Sequence, residues 1–334
     1  MEQLMKAVVF TKYGSPDFLE YKEVEKPTPE QNEVLVQIKA ASINSWDWEL
    51  LKGTPFVNRL MFGLLKPKKI NILGCDIAGR VEAVGSQVKQ FQPGDEVFGD
   101  LSSGGWGGFA EYACADEHEL TPKPANLTFE QAAAVPQAGL LALQGLLKGK
   151  IQQTQNIQNR PRQRVLINGA SGGSGTFAVQ IAKLFGAEVT GVCSASKMDL
   201  VRSLGADHVI DYSQEDFTKN GQRYDLIIDA QAYHSIFDYR RALSPTGIYV
   251  MHGGSSATVN QVMFLGPLIS LMGRKKMGLL LHKANKEMAF MKQMLEGGKV
   301  VPVIDRCYPL SETAEALRYF GERRTRGKLV ITAA

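Results

Sequence analysis

A glycine-rich turn between an apolar strand and an apolar helix constrains the fold of this chain more than any other feature. Residues 164–183, RVLINGASGGSGTFAVQIAK, begin with a β-branched run, turn on glycines and continue with apolar residues at helical spacing, which is the order of a dinucleotide-binding unit. Gly169 allows the sharp turn, Gly172 lets the backbone approach a pyrophosphate, and Gly175 lets the helix pack closely on the sheet. The predicted phosphate-binding residues are Gly169, Ser171, Gly172, Gly173, Ser174 and Gly175.

The residues after the second strand distinguish between two cofactors. Dinucleotide units that bind NAD place an Asp or Glu about 20 residues past the glycines, where it holds the ribose 2′-hydroxyl. After the strand at 188–193 this chain has Ser194, Ser196 and Lys197 instead, and two hydroxyls with an ammonium suit a 2′-phosphate. We therefore predict NADPH as the cofactor. The alternative is that the serines cap the next helix and that the lysine is solvated.

Length and composition limit the class of protein. The 334 residues suffice for two domains with cores of their own, and a formal charge of +4 does not indicate a nucleic-acid partner. The four cysteines are far apart in the sequence, which predicts neither a zinc knuckle nor a disulfide framework and fits a reducing cytoplasm. The first residues lack an apolar targeting segment, so export is not expected.

The first third of the chain has the pattern of a small β-barrel. Residues 33–40 alternate apolar and polar side chains with the period of a half-buried strand. Residues 74–99 place valines at strand spacing between glycines, which is typical of short, sharply turned β-segments.

These stretches together resemble the medium-chain dehydrogenase/reductase superfamily and, within it, the zinc-free quinone oxidoreductase branch. The resemblance covers essentially the whole chain and rests on residues 74–99, 107–112, 132–136, the glycine turn, 299–305 and 327–331. It implies an α/β fold with a GroES-like β-barrel catalytic domain and a Rossmann domain with a doubly wound parallel sheet. The domain bounds that we expect are 1–128 and 299–334 for the catalytic domain, which would be split, and 129–298 for the NADP-binding domain, with the active cleft between domains.

Members of this superfamily differ in whether they hold a catalytic zinc. Zinc alcohol dehydrogenases have a cysteine in the loop that corresponds to residues 42–47, and a His–Glu pair where this chain has Cys75 and Asp76. A catalytic zinc needs about three N, S or O ligands, and of these positions only Cys75 offers a thiolate. We therefore expect no metal. The alternative is an improvised site of Cys75, Asp47 and a histidine.

By resemblance, the chain is expected to be a zinc-independent, NADPH-dependent oxidoreductase that transfers hydride to a quinone or an α,β-unsaturated carbonyl. The loop at 44–48 would border the nicotinamide. There Asn44 would donate a hydrogen bond to substrate or cofactor, and Asp47 would orient the loop. The alternative is a turn-stabilising Asx pair. Trp46 and Trp48 would either line the pocket or pack in the core.

The remaining predicted cofactor contacts lie at the ends of strands. By resemblance, Tyr212 lies near the adenosine; the alternative is an ordinary tyrosine at a strand end. Gly253 and Gly254 end another strand, where backbone can approach the nicotinamide half. The neighbouring His252 is weak evidence for an acid, because a histidine satisfied at a strand end is more common. The loop at 152–163 is expected on the surface.

The apolar segment at 262–281 is interrupted by basic residues and is too short to cross a bilayer. It would form a lid, a subunit contact or a peripheral membrane patch. The expected partners are a small-molecule substrate and a second copy in a homodimer. Two other functions stay open: an NADP-dependent alcohol dehydrogenase, and a non-catalytic NADPH-binding sensor or structural protein.

Overall fold

The computed structural model describes residues 3–68, 70–151 and 161–333. The chain forms two compact units. Unit 1 comprises Met1–Ala138, Ala284–Glu296 and Pro302–Ala334, and unit 2 comprises Gly139–Lys283 and Gly297–Val301. These bounds differ from the expected ones: residues 129–138 and 284–296 belong to unit 1, and residues 299–301 belong to unit 2. Most of the expected surface loop at 152–163 lies outside the described residues.

Strands and helices alternate in unit 2, whereas strands dominate unit 1. The strands are β1 (Leu4–Phe10), β2 (Leu19–Glu25), β3 (Glu33–Ile43), β4 (Asp76–Val84), β5 (Glu96–Asp100), β6 (Tyr112–Asp116), β7 (Leu120–Pro122), β8 (Arg164–Asn168), β9 (Glu188–Cys193), β10 (His208–Asp211), β11 (Tyr224–Asp229), β12 (Leu243–Met251), β13 (Lys276–Leu279), β14 (Ile304–Pro309) and β15 (Lys328–Thr332). The helices are α1 (Ser45–Lys52), α2 (Phe56–Phe62), α3 (Phe129–Ala133), α4 (Pro136–Lys148), α5 (Gly173–Leu184), α6 (Met198–Ser203), α7 (Ile236–Ala242), α8 (Ser256–Met272), α9 (Met288–Glu296) and α10 (Thr313–Gly321).

Unit 2 contains a six-stranded parallel sheet in the order β10-β9-β8-β11-β12-β13. The chain runs outward from β8 in one direction and from β11 in the other, so the strand order reverses between these two strands. Crevices outside the carboxyl ends at such a point are where open α/β sheets bind ligands. The doubly wound parallel sheet that the sequence predicts is therefore present.

Unit 1 contains a seven-stranded sheet in the order β14-β15-β3-β4-β5-β7, with β6 paired to β3. The long strand β3 lies at its centre and pairs antiparallel with β4, β6 and β15. Its apolar side chains pack into a buried cluster that includes Ile38, Ile43, Leu50 and Phe109. This pairing brings the end of β3, the start of β4 and the start of β15 together, which positions the polar cluster described below.

The apolar segment at 262–281 falls into two elements. Its first part belongs to α8, which continues to Met272, and its last part forms the edge strand β13. Among the residues that the structure describes, no helix combines the length and the apolar character that a membrane crossing needs.

Candidate active site

The glycine turn follows β8 and opens α5, as the sequence predicts. Gly169 has φ +83°, a conformation that favours glycine. A Cβ on Gly175 would lie 2.1 Å from the carbonyl oxygen of Gly169, so only glycine fits the close approach of helix and turn. A Cβ on Gly172, the N-cap of α5, would meet nothing nearer than 3.4 Å. The side of the turn at Gly172 is therefore open to a ligand, and the N–H groups of the first helical turn are available to an anion.

A buried carboxylate supports this turn from the neighbouring strand. Asp229 ends β11 and is 0% exposed, and its oxygens accept hydrogen bonds from Asn168 Nδ2 at 2.8 Å and from the Tyr249 hydroxyl at 3.0 Å. Burial raises the pKa of Asp229 to about 6, although its hydrogen-bond donors oppose the shift. Sequence reasoning missed this residue, whose one visible signal is an acidic side chain at the end of a buried apolar strand.

A histidine that follows β12, two strands from β8 in the sheet, contacts the glycine turn. His252 follows β12, and its Nε2 lies 2.8 Å from the hydroxyl of Ser174 in the first turn of α5. Burial lowers the pKa of His252 to about 4, with a further contribution from His282, so the ring is neutral near pH 7. Its Nδ1 is buried and has no hydrogen-bond partner among the described residues. The next two residues are Gly253 and Gly254, and the φ of Gly254 is +141°.

The predicted adenosine end of the site lies beside the end of β9. Ser194, Ser196 and Lys197 form a short 3₁₀ turn there, and the Ser194 and Ser196 hydroxyls are 3.5 Å apart. Ser194 is the N-cap residue of this turn but makes no side-chain capping hydrogen bond, and the N-cap of α6 is Lys197. The amide of Tyr212 donates to the carbonyl of Cys193, and the Tyr212 ring is 54% exposed. The structure thus brings the predicted 2′-phosphate and adenosine residues together.

In unit 1 the side chain of Asn44 lies in a buried polar cluster. Asn44 precedes α1 as its N-cap and is 5% exposed. Its Nδ2 donates to Asp76 Oδ2 at 2.9 Å and approaches Cys75 Sγ at 3.6 Å, and its Oδ1 accepts from Lys328 Nζ. One Nδ2 hydrogen is thus strongly bonded and the other only weakly, since sulfur is a weak acceptor.

Asp47 is held from both sides by backbone. Its carboxylate accepts from the amide of Asn44 at 2.7 Å and from the amide of Gly74 at 2.8 Å, and the residue is 0% exposed. Burial raises its pKa to about 7 against the effect of these two N–H groups. The carboxylate therefore joins the start of α1 to the chain before β4, and its contacts position the loop.

Asp76 is the centre of the cluster. Its carboxylate accepts hydrogen bonds from the Ser42 hydroxyl at 3.2 Å and from the amide of Gln137 at 3.1 Å, in addition to Asn44. The ammonium of Lys328 lies 3.6 Å from Asp76 Oδ2. Burial raises the pKa of Asp76 to about 6, while Lys328 acts in the opposite direction. Sequence reasoning assigned no role to Lys328 or Gln137.

A catalytic zinc does not fit this cluster as the side chains stand. Within the described residues, one group of side chains brings potential metal-ligand atoms close together: those of Cys75, Asp76 and Asp100 lie within 4.8 Å of one another. However, Cys75 and Asp76 already accept hydrogen bonds with the atoms that would bind a metal. Asn44 and Gln137 direct amide hydrogens at Cys75 Sγ as well as at Asp76. The buried ammonium beside Asp76 also repels a cation, and burial raises the pKa of the Cys75 thiol well above its usual value.

The tryptophans of α1 pack against the core of unit 1. The Trp48 ring lies 6.5 Å from the Phe320 ring, centroid to centroid, and close against Gly321. Trp46 and Trp48 are partly buried and border the apolar cluster. Of the two roles expected for Trp48, the structure shows packing.

Comparison with known proteins places this geometry in a family. The profile of the alcohol dehydrogenase GroES-like domain matches residues 30–125, and that of the zinc-binding dehydrogenases matches residues 204–331. The chain is 34% identical to a chloroplast envelope quinone oxidoreductase homolog of Arabidopsis thaliana, over 98% of both chains.

Two further comparisons agree with this match. An NADPH-dependent alkenal/one oxidoreductase of the chloroplast, also from Arabidopsis thaliana, is 31% identical over 98% of this chain and 79% of its own. A solved quinone oxidoreductase from Coxiella burnetii superposes with a TM-score of 0.88 at 29% identity, over 99% of this chain and 100% of that one. The predicted GroES-like and Rossmann architecture is confirmed, and the glycine turn fits a nicotinamide cofactor. The chain belongs to the medium-chain dehydrogenase/reductase superfamily and, within it, to the quinone oxidoreductases.

Proposed function

We propose that the protein is a metal-independent reductase that uses NADPH to reduce a quinone or an α,β-unsaturated carbonyl compound. The observation that carries this proposal is the donor set around Asp76, which holds amide and ammonium hydrogens where a metal would need lone pairs. Relatives named for quinones and for alkenals or enones support the acceptor class. A zinc-dependent alcohol dehydrogenase would need a different set of donors.

The cofactor would be held by unit 2. The backbone around Gly172 would bind the pyrophosphate, and Ser194, Ser196 and Lys197 would bind the 2′-phosphate. Tyr212 would flank the adenosine, and the chain at Gly253 and Gly254 would approach the nicotinamide half. NADPH, when bound, supplies the hydride and thus both electrons; a proton from solvent completes the reduction.

Asn44 would stabilise the negative charge that develops on the acceptor oxygen. Its Oδ1 is bonded to the ammonium of Lys328, which polarises the amide and makes its N–H groups better donors. The Nδ2 hydrogen that only approaches sulfur is the one that a substrate oxygen could accept in place of this weak contact, without rotation of the amide. Asp47 has no free face for substrate and would act by fixing the backbone of this loop.

Three finer properties belong to the same proposal. We propose a homodimer, and the exposed apolar side chains of α8, among them Phe264 and Leu271 at 67% and 83% exposure, support a face that is covered in solution. We propose a cytoplasmic location, although relatives carry chloroplastic and mitochondrial names. We propose NADPH rather than NADH. Sedimentation velocity, cell fractionation and paired cofactor assays test these in turn.

The decisive experiment follows the absorbance of reduced cofactor in the presence of chelated, metal-free protein and a panel of quinones and enones, with NADH in parallel. We expect turnover that prefers NADPH and survives chelation. Turnover of alcohols that returns only with zinc would contradict the proposal and favour an alcohol dehydrogenase. Cofactor binding without turnover of any acceptor would favour a sensor.

A further inference from the structure

The buried lysine of the polar cluster is fully engaged. Lys328 is 3% exposed, and its ammonium donates to the carbonyl oxygen of Ile43 at 3.0 Å and to Asn44 Oδ1 and lies 3.6 Å from Asp76 Oδ2. An ammonium has three hydrogens, and three acceptors surround it. These three contacts fix the position of the ammonium.

Strand pairing positions the ammonium of Lys328 in the cluster. In the antiparallel pair of β15 and β3, Leu329 lies opposite Ile43, so Lys328 reaches the end of β3 just where the chain turns into α1. Because Asn44 follows Ile43 directly, one ammonium binds both the backbone and the side chain at this turn. The lysine thereby fixes the rotamer of the Asn44 amide.

The cluster needs a cation. Asp47, Asp76 and Asp100 are all 0% exposed, and buried carboxylates without a compensating charge are costly. The charge of Lys328 acts on Asp47 and Asp76 and on the Cys75 thiol as well. A divalent metal in the same place would have to displace this ammonium together with the amide hydrogens that face Cys75 and Asp76.

We propose that Lys328 is an internal cation that takes the place of a metal in this cluster, and that it is a positioning residue for the reduction because it orients and polarises the amide of Asn44. This inference rests on the proposed reductase function for its kinetic consequence. Its structural consequence, that the wild-type cluster excludes zinc, can be measured without any turnover.

The kinetic test compares Lys328→Gln and Lys328→Arg with a matched control, Lys123→Gln. Lys123 is also a buried lysine of unit 1, with a side chain that is 5% exposed; it pairs with Glu96 at 3.2 Å and donates to two backbone carbonyls. We expect Lys328→Gln to lower kcat about tenfold or more with an unchanged Kd for NADPH. Lys328→Arg should restore part of kcat, and Lys123→Gln should keep the wild-type kcat. A wild-type kcat in Lys328→Gln would overturn the proposal.

The metal test uses the wild-type protein and Cys75→Ser. After incubation with excess Zn²⁺ and gel filtration, we expect the wild-type protein to retain no stoichiometric zinc by elemental analysis. Retention of one zinc per chain that disappears in Cys75→Ser would overturn the proposal, whether or not the protein reduces quinones. If Lys328→Gln does not fold, the kinetics of Lys328→Arg and this zinc measurement still test the proposal.

Discussion

The carboxylate of Asp229 accepts a hydrogen bond from the amide of Asn168 at 2.8 Å and thereby joins the carboxyl ends of two adjacent strands at the glycine turn. Asp229→Ala would leave the Asn168 amide and the Tyr249 hydroxyl without this buried acceptor. We expect a loss of about 3 kcal/mol in the free energy of unfolding at pH 7, measured by urea denaturation, together with a higher Kd for NADPH.

The matched control is Asp225→Ala in the same strand. Asp225 accepts a backbone hydrogen bond from Arg164 at 2.9 Å, at the end of the sheet opposite the turn. This variant should lose stability but keep the wild-type Kd for NADPH. Equal effects of both variants on the Kd would show that Asp229 does not support the turn specifically.

The raised pKa of Asp229 predicts a pH dependence with a definite sign. The pKa is about 6 in the folded protein and about 3.9 in an unfolded chain, so between these values the folded state binds a proton that the unfolded state has lost. The stability of wild type relative to Asp229→Asn should therefore be greatest below pH 4 and should fall by about 3 kcal/mol as the pH rises past 6.

The variant Asp238→Asn should show a pH dependence of stability with the opposite sign. The Ser235 hydroxyl and the Arg241 guanidinium lower the pKa of Asp238, so the advantage of wild type over this variant should grow as the pH rises from acid to neutral. Urea denaturation at a series of pH values measures both differences. Slopes of the same sign would contradict the assignment of a buried, protonatable Asp229.

The sequence predicts the strands of unit 2 well but not the network between them. The strand at 188–193 occupies the predicted residues, because it is a short apolar run with polar neighbours and this signal is local. Asp229 pairs with Asn168, which is 61 positions away in the sequence. No local pattern encodes that contact, since it exists only after β8 and β11 are adjacent.

Lys328 in unit 1 is a second residue whose contacts no local sequence pattern encodes. A lysine at the start of an apolar strand resembles a solvated strand end, and the resemblance to known reductases drew attention to the segment without giving the side chain a role. Its burial depends on the pairing of β15 with β3, across 285 positions of sequence. The sequence points to Asn44, by contrast, because the segment at 44–48 resembles the family locally, and the role of Asn44 stays a prediction.

Gly175→Ala tests the close packing of α5 on the turn. The added Cβ would lie 2.1 Å from the Gly169 carbonyl oxygen and 2.8 Å from Ala170 backbone atoms, so the turn must shift. We expect a Kd for NADPH at least tenfold higher, measured by fluorescence titration. Gly278→Ala, in edge strand β13 with no atom within 4 Å of the added Cβ, should bind as wild type does. An unchanged Kd in Gly175→Ala would exclude the turn as the pyrophosphate site.

Lys197→Ala tests the choice of cofactor. Lys197 shares a 3₁₀ turn with Ser194 and Ser196, and loss of its ammonium should raise the Kd for NADPH about tenfold, because the proposed charge-assisted contact to the 2′-phosphate is removed. The Kd for NADH should not change. Lys219→Ala, which removes a side chain that is 71% exposed, is the control. Equal weakening of both cofactors would show that Lys197 acts through the fold and not through the phosphate.

His252 gives the last prediction. Its Nε2 contacts Ser174 at 2.8 Å, its Nδ1 is buried without a partner in the described part of the chain, and its pKa of about 4 keeps the ring neutral near pH 7. A buried polar atom without a partner costs about 1–3 kcal/mol, and a ligand that bonds to Nδ1 would recover this energy. His252→Phe should therefore raise the Kd for NADPH about tenfold.

His252→Gln separates the two ring nitrogens, because its amide can still reach Ser174 but places no polar atom at the Nδ1 position. An intermediate Kd is expected if both nitrogens contribute. His208→Phe, which removes a histidine with a 61% exposed side chain that pairs with Glu188, should bind as wild type does. Since the ring does not titrate near neutrality, the ratio of the Kd values of His252→Phe and wild type should stay constant from pH 6 to pH 8. A ratio that grows toward pH 6 would mean that the bound ring is charged, which contradicts a neutral histidine in this site.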